Sequence, residues 1–359
     1  ETDKYIRRYF SHESLRETPP YSINFTKRFI DKKSRIYQIG AERNAGNSYT
    51  QMTKFKNASM KHIEKMSNLI GSIATHVYIK DDAFNYRPIH YYNPFFEDDP
   101  FTPVALAYPI ILNVNEVSNI DNLSWAYWDE EMYEVYNEDG NLVESVAHNL
   151  GTLPFLFTHS DHQVDSHFVE GSTDIISSNE HTNIKMTELA IGARYQLWGQ
   201  PWVSGVDPDT PIQRMGSDVV VPVPFEGRFG IESPPSNISE AINLVKFGVE
   251  LCAQNNHLWI TWAEQGGEVP SGISLMIKDL ERHEDYKDDV EIWRKYEFQL
   301  YEVEKSIAKA HNINLPSDLG LDFNEPEYPK TVNDQILWDN HTLTHNLITE
   351  AELTLEYNK

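Results

Sequence analysis

The sequence predicts an α+β fold, and three observations lead to that class. Apolar residues recur at steps of three and four in residues 179–198, 237–259 and 273–311, which is typical of helices. Between residues 77 and 157 the period approaches two, which is typical of strands. Residues 201–233 contain a run of valines and many Gly and Pro, so short strands and turns are expected there.

The N-terminal part is predicted to be an arm followed by helices. Residues 1–20 are polar and charged and end in two prolines, so we expect an arm. Residues 21–39 show a short amphipathic helical pattern, and residues 60–76 are also predicted to be helical. The polar stretch between them, residues 41–57, is expected to form a loop.

The middle of the chain is predicted to be a strand-rich body. Its strand-like segments are residues 77–80, 104–113, 125–128, 132–136 and 142–147. The stretch from Asn137 to Asn141 predicts a hairpin turn, because Asp139 and Gly140 supply the positive φ that such a turn needs. Prolines between residues 94 and 109 weaken any central strand around them.

Two helices are predicted to frame the β-rich insert. The stripe of the first helix includes Met186, Leu189, Ala193 and Leu197. The second helix begins after two prolines, where Asn237 can cap the helix and Glu240 lies three residues further on. Its stripe consists of Ile238, Ala241, Ile242, Val245, Val249 and Cys252.

A loop and a very long helix follow. Residues 263–272 contain three glycines and one proline, so this stretch is expected to form a mobile loop. Residues 273–311 are predicted to form one helix of about 60 Å at 1.5 Å per residue. Residues 321–323 are expected to return as a strand, and residues 332–343 to be helical.

Composition limits the class of protein. The length of 359 residues predicts about two or three domains. Cys252 is the only cysteine, and its place on an apolar stripe favours core packing in a reducing compartment. The longest apolar run, residues 103–112, is shorter than the roughly 20 residues of a membrane span, so a soluble protein without membrane contact is expected.

The net charge of −25 is unevenly distributed. Residues 1–87 hold 16 Lys and Arg against 9 Asp and Glu, whereas residues 88–184 hold 17 Asp and Glu and no Lys or Arg. Proteins that bind DNA phosphates carry basic residues on the binding face. We therefore do not expect this acidic chain to be an ordinary DNA-binding protein. An acidic channel surface would allow DNA to pass through without binding. The alternative is that the acidity keeps a large surface soluble.

This order of parts resembles that of tailed-bacteriophage portal proteins, over residues 21–357. The individual motifs are loose, such as those in residues 148–154 and 170–174, and the match lies in their order and spacing. The resemblance assigns residues 1–20 to an N-terminal arm, 21–177 and 274–325 to an α/β wing with a long spine helix, 178–199 and 236–260 to a two-helix stem, 200–235 to a small β-rich clip, 261–273 to a tunnel loop and 326–359 to the start of a helical crown.

The resemblance implies a non-enzymatic subunit of a homo-oligomeric ring, with about twelve copies closing by head-to-tail contacts. Such a ring is the channel for double-stranded DNA at the capsid vertex of the virion, and it assembles in the host cytoplasm. Its implied partners are the terminase large subunit, head-completion and tail adaptor proteins, and the major capsid and scaffolding proteins. No metal or cofactor is implied.

The resemblance also assigns site residues. The tunnel loop would line the DNA channel with Glu264, Gln265, Gly266, Gly267, Glu268, Val269, Pro270 and Ser271. The stem would form subunit contacts through Met186, Leu189, Ala193, Leu197, Ile242, Val245 and Val249. The clip would dock other proteins through Trp202, Arg214 and Arg228.

A second hypothesis is an acidic, metal-assisted hydrolase. His159, Asp161 and His162 have metal-ligand side chains at close spacing, with Asp165 and His167 following. The alternative for this cluster is a polar loop before a helix.

The sequence contains no phosphate-binding Gly-x-x-x-x-Gly-Lys motif and no Gly-x-Ser-x-Gly motif. Within a portal assembly, a chain without a nucleotide-binding site can form only the passive channel for DNA. The motor that drives DNA packaging must therefore be another protein.

Overall fold

The computed structural model describes residues 20–110, 123–198, 200–204, 226–232, 237–258, 260, 280–324, 339–340, 343–344 and 349. Within these residues the fold is mixed α and β with antiparallel sheets, which confirms the predicted α+β class. The chain divides into two compact units. The smaller contains the residues up to Phe29 and Asp174–Asn256, and the larger contains Ile30–Thr173 and the residues from His257 onward.

The described helices and strands have the following bounds. The helices are α1 (Phe25–Lys33), α2 (Ile36–Ile39), α3 (Gly46–Met52), α4 (Lys56–Ile70), α5 (Thr173–Trp198), α6 (Ile238–Asn255) and α7 (Leu280–Ala310). The strands are β1 (Ala41–Asn44), β2 (Ser72–Lys80), β3 (Ala83–Ile89), β4 (Asn93–Phe95), β5 (Ala105–Ile110), β6 (Ser124–Trp128), β7 (Met132–Tyr136), β8 (Leu142–Ala147), β9 (Phe155–His159), β10 (Gln200–Ser204), β11 (Arg228–Glu232) and β12 (Gly320–Phe323).

The larger unit is organised around strand β2. This strand is the centre of a three-stranded sheet in the order β3-β2-β9, and a separate five-stranded sheet has the order β4-β5-β6-β7-β8. Ile73 and Val77 belong to the first core, together with side chains of α4 and α7. Ala74, between them, belongs to the second core, with Leu106 and Ala126 of the five-stranded sheet. Strand β2 is therefore buried on both faces.

This double burial explains one error of sequence interpretation. Residues 60–76 were predicted to be one helix, but the helix α4 ends at Ile70 and strand β2 begins at Ser72. Gly71 separates them with φ of 101°, and a Cβ at this position would lie 2.0 Å from the carbonyl oxygen of Val169. A strand buried on both faces lacks the alternation of apolar and polar residues that identifies a strand from sequence.

The N-terminal part of the chain also differs from expectation. Residues 21–39 form two short helices rather than one, and the predicted loop at 41–57 contains β1, α3 and the start of α4. Strand β1 pairs with β12, so Ala41 lies opposite Phe323. A four-residue polar strand has no periodicity of its own, and its partner lies almost 280 residues away in the chain.

Other elements follow the prediction. Strands β7 and β8 form the expected hairpin, and Gly140 in its turn has φ of 78°. The return strand expected at 321–323 is β12. Helix α7 fills the described part of the long helix predicted at 273–311, and residues 273–279 lie outside the described residues, as does most of the helix predicted at 332–343.

A buried ionic network holds α7 in the larger unit. Glu297 and Glu304 lie on its core-facing side, and both are fully buried. The Lys56 ammonium lies 2.9 Å from Glu304 and 3.3 Å from Glu297, and Arg43 forms a second ion pair with Glu297. Two cations thus face two carboxylates, so the buried network has no net charge.

Tyrosine hydroxyls complete this network. Tyr37 donates a hydrogen bond to Glu297 at 2.7 Å, and Tyr49 donates one to Glu304 at 2.7 Å. Burial alone would raise the pKa of Glu297, but Lys56 and Arg43 outweigh it and lower this pKa to about 2. Glu297 therefore remains ionised within the core.

Candidate functional site

The smaller unit is built on an antiparallel pair of helices. Helix α5 ends at Trp198 and is followed by Gln200, which pairs with Glu232 shortly before α6 begins. At the opposite end, Asn256 donates a side-chain hydrogen bond to Asp174 at 2.7 Å. Because both ends are joined, α5 and α6 run in opposite directions, with the β10–β11 ribbon at one end. At 1.5 Å per residue, α5 is about 39 Å long and α6 about 27 Å.

The ends of these helices differ in detail from the prediction. Helix α5 begins at Thr173 rather than at residue 179, about 1.7 turns earlier. Asn237 does precede α6, but its side chain makes no capping hydrogen bond. Its backbone carbonyl accepts the amide of Ala241 instead. The ribbon agrees with the expectation of short strands between the helices.

Helix α6 carries two apolar stripes rather than one. The predicted stripe is partly buried within the single chain, since Val249 is 8% exposed and Cys252 is also buried. A second stripe faces solvent. Leu244 is 65% exposed, Phe247 60% and Leu251 47%. These three residues recur at steps of three and four, so they lie on one helical face. We call Leu244, Phe247 and Leu251 the outer stripe.

The predicted stem contacts have different surroundings. Val249 is already covered by the chain's own residues, whereas Ile242 is exposed. Met186, Leu189, Ala193 and Val245 are half-buried, and the Leu197 side chain lies outside the described residues. Their role in a subunit contact stays a prediction. The outer stripe was not predicted, because the stripe through Val245 and Val249 already accounts for one apolar face of α6. The signal for the outer stripe is the spacing of Leu244, Phe247 and Leu251.

The buried face of α5 holds an extended segment from the N-terminal region. Asn179, Asn183 and Thr187 follow one another at four-residue steps, so they form a row along the helix. The backbone amide of Phe25 donates to Asn179 at 2.9 Å, that of Ile23 to Asn183 at 2.8 Å, and that of Tyr21 to Thr187 at 3.0 Å. Asn183 also donates to the Ile23 carbonyl at 2.9 Å.

This polar row satisfies backbone groups that would otherwise lack partners. The row could not be recognised by its polarity, because a helix face with Asn and Thr is expected to face solvent. Its signal is the repeat of short polar residues at four-residue steps.

The remaining predicted site residues are not in the described part of the chain or lie alone. The whole tunnel loop from Glu264 to Ser271 lies outside the described residues, as do Arg214 and the side chain of Trp202. Arg228 is exposed at the end of strand β11.

The histidine cluster is divided between core and surface. His159 and His167 are buried, while Asp161, His162 and Asp165 are exposed. A ring nitrogen of His159 lies 2.8 Å from the Ser72 hydroxyl. Both ring nitrogens of His167 have partners, the Tyr92 hydroxyl at 2.8 Å and the Phe101 carbonyl at 3.0 Å.

The electrostatics of this cluster favour neutral, structural histidines. Burial, followed by the neighbouring His167 and Lys295, lowers the pKa of His159 to about 4. Among the described residues, no three His, Cys, Asp or Glu side chains are arranged to hold a metal ion. The geometry therefore adds nothing to the hydrolase hypothesis.

None of the helices in the described part of the chain is both long and apolar enough to cross a membrane. A scan against protein-family models finds no family that matches this chain. A search of curated proteins also finds no match. Function has therefore to be inferred from the residues and surfaces of the chain itself.

Proposed function

We propose that the chain is the subunit of a portal ring that forms a channel for double-stranded DNA at a capsid vertex. The observation that carries this proposal is the outer stripe on α6. Three large apolar side chains on one helical face are unfavourable in water, and a neighbouring copy of the chain would cover them. A contact between different faces of neighbouring copies closes into a ring when the rotation allows it.

The organisation of the chain supports the same proposal. A portal subunit has a two-helix stem with a β-rich tip, and here α5, α6 and the β10–β11 ribbon form a compact unit with that composition. A long helix fixed in an α/β body corresponds to α7, which the Lys56 network holds in the larger unit.

The charge agrees with a conduit for DNA. The net charge is −25, and residues 185–359 hold 29 Asp and Glu against 14 Lys and Arg. If these carboxylates line the channel, they repel phosphate, so DNA would move past them without strong attachment. In this proposal other proteins of the assembly, among them the terminase and the tail adaptors, dock on the clip.

The outer stripe provides a direct test. We expect the purified chain to form a ring, and the double change Leu244→Asp with Phe247→Asp to convert it to monomers, because a charge in the contact would be buried without a partner. The matched control is Phe55→Asp, since Phe55 is 75% exposed and belongs to the larger unit rather than to the helix that carries the outer stripe. Light scattering after size-exclusion chromatography gives the mass, and circular dichroism checks the fold. Rings that survive the double change would contradict the assignment of this contact.

A further inference from the structure

The five-stranded sheet has a solvent-facing side with a groove of about 670 Å³. Leu106, Ala126 and their neighbours on the opposite side belong to the second core. Because side chains alternate between the faces of a strand, the residues between them face the groove. Its volume lies within the range of roughly 300–1,000 Å³ that is typical of ligand pockets.

Aromatic rings form the floor of this groove. They belong to Phe95, Trp125, Tyr127 and Tyr136. Trp125 lies directly opposite Tyr136 on the neighbouring strand, and the rings of Phe95 and Tyr127 meet edge to face at 5.7 Å. These rings come from β4, β6 and β7, so they make a continuous surface across the sheet rather than isolated exposed side chains.

Carboxylates line the same groove. They are Asp129, Glu134 and Glu138. Glu134 is directly opposite Tyr127, and it accepts hydrogen bonds from Tyr136 at 2.6 Å and from Ser145 at 3.2 Å. These two bonds hold the carboxylate beside the rings.

No cation in the described part of the chain pairs with these carboxylates. Residues 88–184 include no Lys or Arg, and within the described ranges none of the three carboxylates forms an ion pair. Burial, followed by Asp129 and Glu134, raises the pKa of Tyr127. The groove is therefore an aromatic site with a negative potential.

We propose that this groove binds an arginine-bearing segment of a partner protein. A guanidinium group stacks on aromatic rings and also pairs with a carboxylate, so it matches both features of the groove. A neutral sugar would also stack on the rings, and its hydroxyls could donate to the carboxylates, but unlike a guanidinium it would leave their negative charge unbalanced. The proposal is independent of ring formation, because the groove lies within one chain.

Binding of a short peptide tests this proposal. The probe is a blocked pentapeptide with two arginines separated by serine, and its twin carries citrulline, which has the same shape without the charge. Isothermal titration should show saturable binding of the arginine peptide and none of the citrulline peptide. We expect Glu134→Gln and Trp125→Ala each to weaken binding about tenfold.

The control variant is Glu144→Gln. Glu144 is exposed on the same sheet, but it lies opposite the buried Val135 and so on the other face. It should bind the arginine peptide like the unchanged protein. Glu134→Gln removes a charge without removing packing, so it tests the site even if Trp125→Ala disturbs the sheet.

Three results would overturn the proposal. The first is the absence of saturable arginine binding, and the second is equal binding of the citrulline twin or of the Glu134→Gln variant. The third is binding of a neutral hexasaccharide that Trp125→Ala abolishes, which would make the groove a carbohydrate site. Each can occur whether or not the protein forms a ring, so failure here is distinct from failure of the portal proposal.

Discussion

Replacing Lys56 by methionine should strongly destabilise the larger unit. The Lys56 ammonium contacts both oxygens of Glu304, at 2.9 and 3.1 Å, and the Tyr49 hydroxyl at 2.8 Å. Lys56, Glu297 and Glu304 are all fully buried. Arg43 still balances Glu297 in the variant, but Glu304 loses its cation. Removing one partner of a buried pair costs about 3–5 kcal/mol.

Methionine has a length similar to that of lysine, so the loss reflects charge rather than a cavity. The loss in free energy of unfolding can be measured by urea unfolding, followed by circular dichroism and by tryptophan fluorescence. Fluorescence reports on this region because Trp293 lies in the same core. Adding Glu304→Gln to Lys56→Met should recover about 2 kcal/mol, because the unpaired charge is then removed.

Lys65→Met is the matched control for this experiment. Lys65 pairs with Asp31 at the surface, where such pairs contribute about 0–1 kcal/mol. If Lys56→Met costs no more than Lys65→Met, the buried network does not hold α7 as described.

Two further predictions concern other buried polar groups. Burial raises the pKa of Glu64 to about 7 against an ordinary 4.5, so the folded state keeps a proton that the unfolded state releases, and stability should fall as pH rises from about 4.5 to 7. Glu64→Gln should reduce that slope in urea unfolding at a series of pH values, although Asp289, whose pKa burial also raises to about 7, keeps part of it, and an unchanged slope would contradict the assignment. Asn183→Ala removes two hydrogen bonds to Ile23, so hydrogen exchange at the Ile23 amide should become faster by about tenfold or more. Asn243→Ala, at an exposed position of α6, should leave that rate unchanged.

Strong local signals in the sequence correctly predicted one hairpin and parts of two helices. The Asp139-Gly140 turn predicted the hairpin of β7 and β8, because positive φ at glycine determines the turn without help from the rest of the chain. Helical periodicity likewise predicted α6 and the described part of α7. The residues that determine these elements lie within the elements themselves.

Features that depend on distant partners could not be predicted. Glu297 and Glu304 look like solvent-facing residues of a charged helix, and only the fold brings Lys56 and Arg43 to them. Asn183 looks equally exposed until its partner, Ile23, is known to lie beside it. In the candidate site, the predicted stripe of α6 proved to be partly internal, and the outer stripe was recognised only from exposure.

The central claim is that copies of this chain form a ring with a central channel. Negative-stain imaging of the purified protein tests it most directly, together with mass photometry against the chain mass of 41.5 kDa. The portal proposal predicts closed rings of about twelve copies with a central hole wide enough for double-stranded DNA. A monodisperse monomer at micromolar concentration, or a closed particle without a hole, would contradict it.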